Sequence, residues 1–262
     1  MLTTCNITFD NYRIMGMSIK QNDRIEYYYF SKRCKQTLDN ILNLTIKNID
    51  RIIKDVLQSL IVLHKNEYYH GDIKAQNIMS CPSDEKSKYI YKIIDWGRLY
   101  PINKYDSSYK YGGSMQAGTP LGLYFMIRNK SFNNIPRITS AKLALLLFEG
   151  KLPFSKLKCP LLINMSLRKR FKPLWIKIKK EFIKCISKSK NDDELFNKYK
   201  YNLDTYNFAL TLLYILLKND LDTNLNSKHS IYNKYYNVIQ KMTLYNDNMI
   251  RTAEDALEAF KL

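Results

Sequence analysis

The chain has 262 residues, of which 45% are hydrophobic and 25% are charged, and its formal net charge is +18. This length is enough to bury one sizeable core, or two lobes that share a cleft, and the hydrophobic content excludes a disordered protein. The positive charge calls for an acidic partner, or reflects A/T-rich codons that favour Lys, Asn, Ile and Tyr.

Five cysteines are scattered along the chain without a CxxC pair. Their odd number and wide spacing favour a reducing compartment, and therefore a cytoplasmic or nuclear location. The amino terminus lacks the apolar segment of a signal peptide, and the longest apolar run, residues 208–217, is too short to span a bilayer. We therefore expect no targeting or transmembrane segment.

The first 70 residues contain three predicted elements. Alternating apolar and polar residues predict strands at 12–19 and 24–30, joined by a polar turn at 21–23. After a short helix at 37–42, apolar residues at helical spacing predict a long amphipathic helix at 46–69.

This helix leads directly into the sequence HGDIKAQNI at 70–78, and a polar interval separates it from IIDWG at 93–97. Both segments carry the side chains that phosphoryl transfer requires. Asp72 can accept a proton from a hydroxyl group, and Lys74 can neutralise charge on the transferred phosphoryl group. Asn77 and Asp95 can hold magnesium through an amide and a carboxylate oxygen.

The two segments resemble the catalytic loop H-R-D-x-K-x-x-N and the metal-binding motif D-F-G of the protein kinase family. HGDIK is also similar to the vaccinia-related branch of the casein-kinase-like group. The resemblance implies an α+β fold with a small β lobe and a mainly helical large lobe, and it implies ATP and Mg²⁺ as cofactors. It makes Asp72 and Lys74 catalytic and Asn77 and Asp95 ligands of the metal and nucleotide, with His70 as a structural support.

Several parts of the family pattern are missing. No Gly-rich loop precedes the motif, and MSIK at 17–20 resembles the strand-lysine motif V-A-I-K but lies too close to the hinge for the usual partner helix. Lys20 is therefore either a solvated lysine or a substitute phosphate contact. Gly71 replaces the arginine of H-R-D, and no A-P-E follows the activation segment 98–120. We expect a single kinase-like domain whose small lobe, residues 1–33, is reduced and could be completed by a partner chain.

The large lobe needs a buried helix with an aspartate that holds the catalytic loop. Residues 140–154 imitate the end of such a helix but lack the acid, whereas Asp204 is followed by an apolar helical pattern. We therefore assign this role to Asp204. Residues 249–257 resemble the R-x-T-x-x-E-x-L start of the final kinase helix, with Thr252 as its N-cap and Arg251 without an expected partner. The large lobe is thus predicted at 34–126 and 200–262.

The remaining residues, 127–199, are predicted to be a basic helical insertion with helices at 140–149 and 167–187. Between Lys156 and Lys190 the chain has twelve Lys or Arg and one Glu, a net charge of +11. The aromatic stripe of the second helix is expected to pack in the core rather than to stack on bases. Its basic face could contact nucleic acid, anionic lipid or an acidic protein, or be a solvated surface.

The resemblance implies ATP-dependent phosphoryl transfer to Ser or Thr of a protein substrate. Two alternatives stay open. A pseudokinase scaffold would explain the missing phosphate-binding parts but has no need of the four chemical residues. A small-molecule phosphotransferase of the aminoglycoside kinase type also uses H-G-D and I-D-W, whereas Lys74, the Gly118-Thr119-Pro120 turn and Arg251 favour a protein kinase.

Overall fold

The computed structural model describes residues 12–17, 27–32, 34–41, 43–83, 89–96, 99–101, 119–129, 135–151, 159–222 and 231–261. Over these residues the chain is α+β and mostly helical, as the sequence predicts. Lys20, Gly118 and the turn predicted at 21–23 lie outside the described residues.

Two strands near the amino terminus form an antiparallel hairpin. Strand β1 (Tyr12–Met17) pairs with β2 (Tyr27–Lys32), with Tyr12 opposite Lys32. The two predicted strands are confirmed, but the predicted bounds of the second are wrong, because pairing begins at Tyr27 and continues two residues beyond Phe30.

Helix α1 (Ile46–Lys65) lies against the catalytic loop and forms much of the core. Thr45 caps it, since the Thr45 hydroxyl accepts from the Asn48 backbone N–H and the Asn48 side chain accepts from the Thr45 N–H. The helix ends at Lys65, before a turn in which Glu67 has a φ of 60°. The predicted extension to residue 69 is therefore wrong. Its buried apolar positions are Ile49, Ile52, Ile53, Val56, Leu57 and Leu60.

The strands around the catalytic loop form two small sheets. β3 (Gln36–Thr37), β5 (Ile78–Pro82) and β6 (Tyr89–Ile93) make a three-stranded antiparallel sheet with β5 in the centre. β4 (Tyr68–Tyr69) pairs with β7 (Tyr100–Pro101), a pairing that the sequence did not reveal. The helix expected at 37–42 is a single 3₁₀ turn, Leu38–Asn40.

Cys34 and Cys81 form a disulfide that joins the segment before β3 to β5. Cys159 and Cys185 are buried thiols, and burial raises the pKa of Cys159 to about 12. The reducing compartment expected from the cysteine pattern stays a prediction. Among the described residues, no helix is long and apolar enough to cross a membrane.

Eight further helices complete the described part of the large lobe. α7, which carries Asp204, is buried along most of its length and contacts α1, α4, α5 and α8. Helices α3 and α5 confirm the two helices predicted in the insertion, with bounds shifted by one to three residues. The eight are α2 (Pro120–Asn129), α3 (Arg137–Phe148), α4 (Pro160–Ile163), α5 (Met165–Lys188), α6 (Asp192–Tyr199), α7 (Asn202–Asp222), α8 (Ile231–Thr243) and α9 (Ala253–Phe260).

The aromatic stripe of α5 packs inside the protein. Phe171, Trp175 and Phe182 are at most 4% exposed, and the Phe182 ring lies 5.1 Å from the ring of Tyr245. The expectation that this stripe is core is confirmed. The alternative of a base-stacking platform is wrong, because a ring can stack on a base only if one of its faces is accessible.

Candidate functional site

Three of the predicted site residues meet at the carboxylate of Asp72, which is only 2% exposed. The Lys74 ammonium lies 2.8 Å from Asp72 Oδ2. The Asn77 side-chain amide donates to the same oxygen at 3.1 Å and to the Asp72 backbone carbonyl at 2.9 Å. One carboxylate oxygen thus accepts from both the cation and the amide that the motif pattern singled out.

The backbone of the loop explains how these side chains converge. Gly71 has a φ of 75°, a conformation that glycine adopts without the steric cost of a Cβ atom. A 3₁₀ turn at Ala75–Asn77 follows, closed by a hydrogen bond from Asn77 N–H to Lys74 C=O at 2.9 Å. The departure from H-R-D at Gly71 therefore suits the conformation that this loop has.

Asp204 holds this loop from below, as predicted. Its carboxylate is fully buried in the first turn of α7 and accepts from His70 N–H at 2.7 Å and from Gly71 N–H at 2.9 Å. The assignment of the supporting aspartate to Asp204 rather than to segment 140–154 is confirmed by these two bonds. The loop backbone is thus fixed immediately before Asp72.

His64 is a third partner of Asp204 that the sequence analysis missed. Its Nε2 lies 3.2 Å from Asp204 Oδ2, and its side chain is buried at the end of α1. Burial alone raises the pKa of Asp204, but the hydrogen bond and charge of His64, the charge of His70 and the backbone bond from His70 together lower it. A signal was present, because His64 follows Leu60 and Leu57 on the buried face of α1.

The His70 ring links the catalytic loop to the segment that carries Asp95. His70 Nδ1 accepts from the Asp72 backbone N–H at 3.3 Å, so Nε2 carries the proton and donates to Ile94 C=O at 3.0 Å. The Ile94 N–H in turn donates to Asn77 C=O at 2.9 Å. These bonds join the stretch just before Asp95 to both Asp72 and Asn77.

Asp95 is exposed and has a φ of 67°, in the left-handed region that few non-glycine residues adopt. Such backbone strain, of about 1–3 kcal/mol, is found preferentially at functional sites. The ring of the next residue, Trp96, lies edge-on to His70 with centroids 5.1 Å apart. The turn at Asp95 is therefore supported by the same histidine that supports the catalytic loop.

Asn77 and Asp95 fit a magnesium ion by the chemistry of their donor atoms. Since the Asn77 amide nitrogen donates twice to Asp72, the oxygen Oδ1 is the atom that this side chain can offer to a cation. Among the described residues, no group of three or more His, Cys, Asp or Glu side chains could hold a metal by itself. Magnesium commonly binds through one or two carboxylates together with substrate phosphates, and this site matches that pattern.

A second support, also missed by the sequence analysis, reaches the loop through Asp39. Gln76 donates to Asp39 Oδ2 at 2.9 Å, and the Tyr214 hydroxyl donates to Asp39 Oδ1 at 2.8 Å. Lys218 donates to the Asp39 backbone carbonyl at 2.6 Å. The far side of the catalytic loop is thus connected to the middle of α7.

Residues 251 and 252 show how the last helix is attached. The Thr252 hydroxyl accepts from Asp255 N–H at 3.1 Å, which confirms the predicted N-cap of α9. The Arg251 guanidinium lies over the Tyr199 ring, 5.5 Å from its centroid. In this chain a cation–π contact with α6 takes the place of an ion pair with an A-P-E glutamate.

Thr119, in the predicted substrate-docking turn, is buried and its hydroxyl accepts from Gly122 N–H at 2.8 Å. This bond satisfies a backbone donor in the first turn of α2. A Cβ atom at Gly122 would lie only 3.2 Å from the Thr119 hydroxyl, so glycine permits this close approach.

No model of a known protein family matches the chain, and no curated protein is similar to it.

Proposed function

We propose that this chain is a phosphotransferase with a protein-kinase-like fold, which uses ATP and Mg²⁺ to phosphorylate Ser or Thr of a protein substrate. The observation that carries the proposal is the convergence of Lys74 and Asn77 on the Asp72 carboxylate, in a loop whose backbone is anchored to the buried Asp204. The kinase motifs therefore occur as a connected set of contacts and not only as a pattern of letters.

Each of the four residues has a role that its environment supports. Asp72 would orient the substrate hydroxyl and accept its proton, and Lys74, already 2.8 Å from Asp72, would stabilise negative charge on the transferred group. Asn77 and Asp95 would hold Mg²⁺, which neutralises phosphate charge when bound. Asp204 and His70 would position the loop without contacting substrate.

Stability alone is a poor explanation for this arrangement. Removing a carboxylate and an ammonium from water costs several kcal/mol per ion, so a largely buried pair such as Asp72 and Lys74 contributes little net stability. A scaffold would be as stable, or more so, with apolar residues at these positions. This argument favours a chemical role over the pseudokinase alternative.

The test is transfer of labelled γ-phosphate from Mg-ATP to a degenerate Ser/Thr peptide library, with kanamycin as a parallel acceptor. We expect slow transfer to the peptides that falls about 10²–10⁴-fold in Asp72→Asn, as is typical for loss of a general base. Asp95→Asn is expected to abolish the magnesium dependence along with transfer. Asp247→Asn, whose side chain is 92% exposed, is the matched control and should keep wild-type activity.

The other outcomes are equally informative. Transfer that persists unchanged in both active-site variants would refute the residue assignment. Absence of transfer by the wild type, together with an unchanged melting temperature in Mg-ATP, would favour the scaffold. Transfer to kanamycin but not to peptides would favour the small-molecule phosphotransferase, since its acceptor is not a protein.

A further inference from the structure

The exposed side of α5 carries a row of lysines that the proposed catalytic function does not use. We call these residues the α5 basic face. Within α5 the chain has nine Lys or Arg and a single acid, Glu181. The face consists of Lys169, Lys172, Lys177, Lys180, Lys184 and Lys188, all exposed.

Most of this face is not neutralised by the rest of the described protein. Lys184 lies 4.0 Å from Glu181, and Lys179, which is outside the face, pairs with Glu149 at 2.9 Å. Among the described residues, no acid forms an ion pair with Lys172, Lys177 or Lys180. Their charge is therefore available to an external anion.

The length of the face suits an extended polyanion. An α-helix rises 1.5 Å per residue, so the distance from Lys169 to Lys188 is about 29 Å. A nucleic-acid duplex carries one negative charge per 1.7 Å of its axis, so the same length presents about 17 phosphate charges. A single bound phosphate or a short acidic peptide would engage only a part of the row.

The burial of the apolar side of α5 argues against a membrane partner. A helix that binds at a membrane interface inserts an apolar face into the lipid, but Phe171, Ile178 and Phe182 are at most 1% exposed. In α5 the exposed large apolar side chains are Met165 and Ile176, which lie three turns apart. A membrane would thus be held by charge alone, without apolar insertion.

The same burial argues against recognition of single strands, which depends on aromatic side chains that stack on bases. The aromatic rings of α5 face the core. We infer that the α5 basic face docks along the phosphate backbone of duplex nucleic acid, with little dependence on base sequence. This inference does not depend on the proposed catalytic function, since the face and the Asp72 site have no residue in common.

The experiment compares two charge-reversal variants of the full chain. The first carries Lys172→Glu, Lys177→Glu and Lys180→Glu on the α5 basic face. The matched control carries three reversals at exposed lysines of α1 and α8, namely Lys47→Glu, Lys54→Glu and Lys241→Glu. Three reversals, each worth two charges, lower the net charge of either variant from +18 to +12.

Binding to a labelled 24-base-pair duplex of arbitrary sequence is measured by fluorescence anisotropy between 50 and 300 mM salt. Each lost phosphate contact reduces the slope of log K against log salt by about 0.9. We expect the α5 variant to lose about 2.7 in slope and on the order of 10²-fold in affinity at 0.1 M salt. The control variant should stay within a few-fold of the wild type, and both should keep the wild-type circular dichroism spectrum and peptide phosphorylation.

Three results would overturn the inference. Equal losses in the two variants would show that total charge, and not this face, governs binding. Tighter binding of the wild type to vesicles with 30% phosphatidylserine, or to polyglutamate, would identify a lipid or an acidic protein as the partner. No binding to the duplex at 50 mM salt would leave the face as a solvated surface. None of these results bears on phosphoryl transfer, so the two proposals can fail separately.

Discussion

Asp204 is the residue on which the order of the catalytic loop most depends. It accepts hydrogen bonds from the backbone N–H groups of His70 and Gly71, and His64 Nε2 lies within bonding distance of the same carboxylate. A carboxylate can satisfy several donors at once, whereas an amide offers one oxygen and turns an N–H group towards a donor. The position therefore requires an acid and not merely a polar side chain.

Replacement of Asp204 by Asn should destabilise the fold. Loss of one partner from a buried charged network typically costs about 3–5 kcal/mol. For a chain of this size each kcal/mol lowers the melting temperature by about 2–4 °C, so we expect a decrease of at least about 6 °C by differential scanning calorimetry. The exposed control Asp247→Asn should melt within a degree of the wild type. A melting temperature for Asp204→Asn equal to that of the control would show that the network is dispensable.

The lowered pKa of Asp204 also fixes the pH at which this contribution is lost. A carboxyl group with a lower pKa in the folded state stabilises the protein above its unfolded pKa, which is near 3.9, and loses that effect as the pH falls through the folded pKa. Wild-type stability should therefore decline below about pH 4. Urea unfolding of Asp204→Asn between pH 2 and 5 should show a weaker decline, and parallel curves for the two proteins would contradict the assignment.

Three helices of the insertion and its border are joined by one carboxylate at the element scale. Asp192, at the start of α6, accepts from Arg128 Nε of α2 at 2.8 Å and from Arg137 Nε of α3 at 2.9 Å. The Tyr124 hydroxyl of α2 donates to the same carboxylate at 2.5 Å. Burial, and then the bond to Asp192, raise the pKa of Tyr124 to about 12, so the tyrosine stays a donor at neutral pH.

We expect Asp192→Asn to lower the free energy of unfolding by about 1.5–3 kcal/mol, the usual contribution of hydrogen bonds to a charged group. The adjacent Asp193→Asn is a close control, since Asp193 lies in the same helical turn and is exposed. Urea denaturation at pH 7 measures both. If the two variants lose equal stability, the loss arises from the amino-terminal charge of α6 and not from the junction of the three helices.

The sequence predicted those elements whose signal is local. The apolar spacing of α1 and α5 indicated both helices, and the acid before an apolar run identified Asp204 as the support of the loop. The contacts that it did not reveal join distant residues. The Cys34–Cys81 disulfide, the pairing of β4 with β7 and the contacts of Asp192 join residues more than 30 positions apart, where no local period carries information.

The catalytic loop shows both situations within a few residues. The motif letters predicted that Asp72, Lys74 and Asn77 act together, and the structure brings them together. The supports from His64 and Asp39 depend on where α1 and α7 pack, so they became visible only in the fold. The left-handed turn at Asp95 is likewise a result of the surrounding contacts, because the sequence does not place a glycine there.

At the scale of the whole molecule the described parts are unequally developed. The large lobe has an extended core around α1 and α7, whereas the described small-lobe residues form the β1–β2 hairpin. The sequence lacks the Gly-rich loop that would cover the phosphates of a nucleotide. On the proposed function, nucleotide binding therefore relies on the large-lobe side of the cleft and on magnesium held by Asn77 and Asp95.

This imbalance predicts weak ATP binding that depends strongly on magnesium. Charge-assisted hydrogen bonds are worth about 1.5–3 kcal/mol each, and loss of two of them weakens binding by about 10²-fold or more. Isothermal titration calorimetry of the full chain should give a dissociation constant well above 1 µM with Mg²⁺ and no measurable binding without it. In Asp95→Asn the addition of magnesium should bring no gain, because the carboxylate ligand is gone. A sub-micromolar constant for the wild type would contradict the prediction, and loss of that tight binding in Lys20→Ala would show that Lys20 supplies the missing phosphate contact.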